Sequence, residues 1–123
     1  MPLKKEDLIH KGFAKIVAEY EAFNLLKCNW RSYNASGEYR NKVTGGLLKA
    51  KGLIGGHSDY VFYHERGGIC HNLFIEFKAD NGRQSPNQVT FERAFLRCKN
   101  VNYHLAYSVE EGIKLLEKYK IIT

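Results

Sequence analysis

The chain has 123 residues, of which 44% are hydrophobic and 13% aromatic, and its formal net charge is +6. That length suits one domain around one core, the apolar content is too high for a disordered tail, and no apolar run is long enough to cross a bilayer. The opening Met1-Pro2-Leu3-Lys4-Lys5 lacks a secretory signal and Cys28, Cys70 and Cys98 form no Cys-x-x-Cys pair, so the expected location is cytoplasmic.

From Lys4 to about Leu26, the residues Leu8, Ile9, Phe13, Ile16, Val17, Tyr20 and Phe23 recur at spacings of three, four and seven, which predicts an amphipathic helix. The next segment carries Lys27, Arg31, Arg40, Lys42, Lys49 and Lys51 against Glu38 alone, with Trp30, Tyr33 and Tyr39 interleaved. Such a segment suits a polyanion with bases or sugars to pack against, and equally an ordinary solvated loop. Asn34 to Gly46 reads as loop, and Leu47 to Leu53 as a single helical turn.

The period then changes. Ser58 to His64 and Asn72 to Lys78 are rich in aromatic and β-branched residues and are separated by Glu65-Arg66-Gly67-Gly68, which predicts a β-hairpin. Ser85 and Pro86 open a helix lined by Val89, Phe91, Phe95, Leu96 and Cys98 and running to about Lys99. Val101 to Tyr107 alternates as a strand, and Ser108-Val109-Glu110-Glu111 is a capping box for a last helix bearing Ile113, Leu116 and Tyr119. The order helix, hairpin, helix, strand, helix implies a single α/β domain over residues 1–123. Its mixed β-sheet holds the central hairpin plus a further strand, parallel to its predecessor, flanked by helices.

Within the second hairpin strand, Glu76 and Lys78 share a face with their Cα atoms about 6.5 Å apart, because side chains alternate at period two. Asp59, at the start of the partner strand, brings a second carboxylate to the same end of the sheet. Phosphodiester hydrolysis needs such a set: a hard dication held by carboxylates activates water and neutralises charge on the phosphate. Magnesium is satisfied by two carboxylates and a backbone carbonyl, for which that of Phe77 is placed. Lys78 then orients or deprotonates the water, or stabilises the transition-state charge. The bland alternative is a solvated Glu-x-Lys pair on a half-exposed strand.

Gly55-Gly56-His57-Ser58-Asp59, followed by Phe74-Ile75-Glu76-Phe77-Lys78 and by Gly82-Arg83-Gln84-Ser85-Pro86-Asn87-Gln88, resembles the VRR-type nuclease (VRR-NUC) domain of the PD-(D/E)xK superfamily. Leu47-Leu48-Lys49-Ala50-Lys51-Gly52 and Tyr107 to Gly112 are similar to the stretches that precede the Asp and close the domain there. Ser58 stands where the family often has Pro. The resemblance implies a restriction-endonuclease-like core in which Asp59 and Glu76 bind Mg2+ or Mn2+, Lys78 is the catalytic lysine, Gln88 supports the site and Glu6 adds a ligand from the first helix.

Gln88 also fits the third position of a capping box with Ser85, and Glu6 a first-turn acid on a helix dipole. Domain-length members of the family resemble phage-encoded homodimeric nucleases of Holliday-junction-resolvase type, which implies branched DNA as substrate and a bacterial or phage-infected cytoplasm as setting. Arg31, Arg40, Lys42, Lys49, Lys51 and Arg83 are the candidate DNA contacts. The rival is a catalytically silent nucleic-acid-binding domain of the same fold.

Overall fold

In a computed structural model, residues 4–34, 42–52 and 54–123 are described, with the backbone alone for 42–45. Among these residues eight elements follow one another: α1 (Lys5–Ala22), β1 (Trp30–Tyr33), α2 (Lys42–Ala50), β2 (Tyr60–Arg66), β3 (Ile69–Phe77), α3 (Pro86–Ala94), β4 (Val101–Ala106) and α4 (Val109–Lys118). The four strands form one sheet in the order β1-β2-β3-β4, antiparallel except that β4 runs parallel to β3. The expected hairpin and the parallel strand after the α3 crossover are both present. Among the described residues, no helix is long and apolar enough to cross a membrane.

Turn chemistry explains the hairpin. Gly67 and Gly68 both take positive φ, 59° and 82°, the pair that a two-residue turn needs to match the twist of its strands. The register pairs Tyr60 with Ile75 and Arg66 with Ile69. Alternation along β3 then sorts two layers. Leu73, Ile75 and Phe77 join the main core with Phe13 and Val17 of α1, Tyr60 and Phe62 of β2, Ala106 of β4, Leu116 of α4, and Ile121 and Ile122 beyond it. On the opposite face Phe74 packs against Phe91 and Phe95, with ring centroids 5.0 and 5.1 Å away, which fixes α3 to that side.

Several expectations need correction. α1 stops at Ala22 because Asn24 takes φ 58° and the amides of Asn24 and Leu25 turn back to the carbonyls of Glu21 and Tyr20, a Schellman ending. Leu8 and Phe23 are 56% and 75% exposed; the stripe that meets the core is Ile9, Phe13, Val17 and Tyr20. α3 ends five residues before Lys99, in turns closed by bonds from Phe95 to Glu92 and from Cys98 to Phe95, and leaves Leu96 and Cys98 exposed.

Trp30–Tyr33, to which the sequence reading assigns no element, is an edge strand paired with β2. α2 runs through Thr44-Gly45-Gly46 rather than starting after them; Leu53, expected at the end of that turn, lies outside the described residues. Ser108 accepts from the Glu111 amide as a cap should, but Glu111 returns its bond to the amide of Tyr107, one residue further out than a capping box requires.

Candidate metal centre

Asp59 directly precedes β2. Continuing the register one step beyond Tyr60 and Ile75 sets it opposite Glu76 on β3, and opposed residues of an antiparallel pair present their side chains to the same face. Its Oδ2 accepts from the Phe77 amide at 2.7 Å, which ties the carboxylate to the end of β3. The fold thus brings together two acids that are 17 residues apart in sequence.

Glu76 is 1% exposed, and its Oε1 has no hydrogen-bond partner. Its acid is pushed up to about 10: burial is the main cause, the hydrogen bond with Asp59 and the charge of Asp59 act the same way, Lys78 opposes, and Glu6 adds a little. Two carboxyls in one poorly solvated place cannot both ionise without a compensating positive charge. A proton on Glu76 can supply that charge, but it leaves Oε1 without a partner. A dication fits the same donor set and would also engage that oxygen.

Lys78 leaves β3 just past its last residue, with its amide donating to the Ala106 carbonyl at 3.0 Å, and its stem packs beside Gly82, where an added Cβ would lie 3.3 Å from the Lys78 Cβ. The carbonyl of Phe77 lies between Glu76 and Lys78 at the strand end. Gln88 closes a full capping box: Ser85 donates its amide to Gln88 Oε1 at 2.8 Å, and Gln88 donates its own to Ser85 Oγ at 3.3 Å. The same Gln88 lines a cleft of about 190 Å³ with Asp59, Gly55, Gly56, His57, Ser85 and Asn87. Gly56 is needed there: it takes φ +101°, and a Cβ would stand 2.4 Å from the Asn87 carbonyl oxygen.

Glu6 reaches the neighbourhood from the first turn of α1. It does so beside His10, a histidine that the sequence offers as a possible acid or base but does not place at the site. His10 Nε2 lies 3.8 Å from Glu6 Oε1 and 3.6 Å from Asp59 Oδ2, and the donor atoms of Glu6, His10 and Asp59 all fall within 4.8 Å of one another. Spacing of four on α1 was the available signal, since it sets Glu6 and His10 on one helix face.

His57, the histidine nearest the site in sequence, points Nδ1 at the Ser58 carbonyl at 2.8 Å and packs its ring on Phe91 and Phe74. His104 is hydrogen-bonded to the Tyr119 hydroxyl at 2.6 Å. Of the candidate DNA contacts, Lys49, Lys51 and Arg83 are exposed. Arg31 is engaged within the chain, donating Nε and Nη2 to Glu21 at 3.1 and 3.0 Å. Arg40 and the side chain of Lys42 lie outside the described residues.

No family model matches the sequence, and no curated protein does. The fold, by contrast, is similar to that of a solved VRR_NUC domain protein, with a TM-score of 0.64 over 97% of this chain and 90% of that one at 16% identity. The likeness is in architecture, and it agrees with the mixed sheet and flanking helices built up above. This chain has the VRR-NUC fold, a restriction-endonuclease-like α/β arrangement.

Proposed function

We propose that the chain is a divalent-metal-dependent endodeoxyribonuclease that hydrolyses phosphodiester bonds at the sheet end formed by Asp59, Glu76 and Lys78. The observation that carries this reading is the buried Glu76 carboxyl, set beside the partly covered Asp59 and left with an orphaned oxygen, an arrangement costly to a fold unless a cation uses it.

Asp59, Glu76 and the Phe77 carbonyl would hold Mg2+ or Mn2+, with Glu6 contributing from α1. Bound there, such an ion lowers the pKa of a coordinated water and neutralises charge on phosphate oxygens. The Phe77 amide keeps the Asp59 carboxylate oriented, and burial of Glu76 holds its carboxyl rigid. Lys78, whose charge already acts on Glu76, stabilises the negative charge that builds on the phosphate in the transition state. Gln88 holds the entry of α3 in register with the cleft. Lys49, Lys51 and Arg83, together with Arg40 and Lys42, supply backbone phosphate contacts that fix the duplex without reading sequence. Arg31 is the weakest of that set, because its guanidinium already serves Glu21.

Branched DNA is the preferred substrate in this proposal and a homodimer the working unit. A junction offers two symmetry-related strands, and a domain with one such centre makes paired cuts only as two copies. A panel of labelled junction, flap, nicked and linear DNAs, incubated with Mg2+, Mn2+ or chelator, tests the activity, and sedimentation tests the dimer. Cleavage of junctions that Glu76→Gln abolishes supports the reading. DNA retention without any cleavage would favour a silent binding domain.

A further inference from the structure

Helix α1 contributes more than an acid to this sheet end. The His10 ring is wedged among Tyr33, Tyr60 and Phe77, with centroid distances of 5.7, 5.5 and 5.6 Å, so its orientation is set by packing. Nδ1 lies 3.2 Å from the Tyr60 hydroxyl, and that hydroxyl lies 3.4 Å from the carbonyl oxygen of His10 itself. A hydroxyl donating to the carbonyl accepts from Nδ1–H. In the neutral ring this arrangement places the lone pair on Nε2, since the partner of one nitrogen decides the state of the other.

Nε2 faces Asp59 Oδ2 at 3.6 Å and Glu6 Oε1 at 3.8 Å. A lone pair and two carboxylates repel one another unless a cation lies among them. Opposed ligands of an ion with bonds near 2.1 Å stand about 4.2 Å apart. The separations found here, all within 4.8 Å, already suit that geometry.

We infer that His10 Nε2 is a direct ligand of the cation held at Asp59, and that this nitrogen makes the site select a first-row transition dication over Mg2+. The inference rests on the reading of Asp59 as a cation ligand. It adds to that reading the nature of the ion: magnesium keeps to oxygen donors, whereas imidazole raises affinity along the series from Mn2+ to Co2+ and Ni2+.

Calorimetric titration of the purified chain with Mg2+, Mn2+ and Co2+, for the parent, His10→Phe and Glu76→Gln, is the test. His10→Phe keeps an aromatic ring in the same packing and removes both ring nitrogens, Nε2 together with the Nδ1 bond to Tyr60; its melting temperature checks that it folds. Expected are affinities rising from Mg2+ to Mn2+ to Co2+ in the parent. In His10→Phe the Co2+ and Mn2+ affinities should fall about 10- to 100-fold while that for Mg2+ stays nearly constant. Pulsed electron paramagnetic resonance of bound Mn2+ should show nitrogen modulation in the parent that His10→Phe lacks. Two outcomes overturn the inference and leave the nuclease reading standing. One is Mn2+ bound through Glu76 without nitrogen modulation. The other is tighter binding in His10→Phe, the mark of an imidazolium paired with the acids. A parent that binds none of the three ions defeats both.

Discussion

The hairpin buries a histidine near one end and a carboxylic acid near the other, and the two are handled in opposite ways. His64 of β2 is 4% exposed and stacks on His71 at 5.4 Å; burial, then the charges of Arg66 and His71, lower its pKa, so at neutral pH it stays uncharged. Glu76 of β3 is 1% exposed, yet its acid is raised to about 10 by the same physical cause plus a neighbouring carboxylate. Each leaves one orphaned atom, Nε2 of His64 and Oε1 of Glu76. The difference lies in the company. A neutral imidazole among aromatic rings costs a hydrogen bond, whereas a carboxyl beside Asp59 creates a demand for positive charge. Burial alone marks no site; burial together with like charge does.

The sharpest way to break this contrast is to remove the demand. Glu76→Gln should lower cleavage by about 10³-fold, the several kcal/mol a bound dication contributes at 1.4 kcal/mol per decade. His64→Phe should leave cleavage unchanged. Gly56→Ala comes next, forcing a Cβ onto the Asn87 carbonyl at positive φ. It should destabilise the chain by about 2 kcal/mol, read by denaturant unfolding, and weaken cleavage through the Asp59 cleft.

pH separates the two hairpin ends in the metal-free chain. Glu76 has a folded pKa above its unfolded value, so its contribution is fully present below about 4.5 and is lost as pH rises toward about 10. His64 has a folded pKa below its unfolded value of 6.5, so its contribution is present above 6.5 and is lost as pH falls. Melting temperatures should therefore decline on both sides of a maximum near pH 6. Glu76→Gln should flatten the alkaline limb. His64→Phe should shrink the acid limb without removing it, because burial lowers the pKa of His104 as well.

The smallest effect is expected at Gln88. Gln88→Ala loses one bond of the capping box and should cost about 1 kcal/mol. Gln88→Glu, which can still cap, should restore stability. If Gln88 acts only through the cap, cleavage should return with it.

Legibility followed the hydrophobic pattern. β2, β3 and β4 were readable because each buries a face, and α3 because Ser85, Pro86 and Gln88 announce its start. β1 was not: Trp30, Ser32 and Tyr33 are exposed and only Arg31 is partly covered, so no alternation records the pairing with β2. α2 was hidden by Gly45 and Gly46, which lower helix propensity. Leu8 and Phe23 fit a helical period and yet stand in water, since the period says which residues share a face and not where the neighbouring elements end.

Order and type of the main elements and the capping of α3 were determined by the sequence alone, because alternation, turn residues and caps act within a few positions along the chain. The hold of the Phe77 amide on Asp59, the orphaning of Glu76 Oε1 and the arrival of His10 beside Asp59 were decided only in three dimensions. Those contacts join residues 17 to 49 positions apart, and burial, which sets their chemistry, is a property of the packed sheet end and of no single segment.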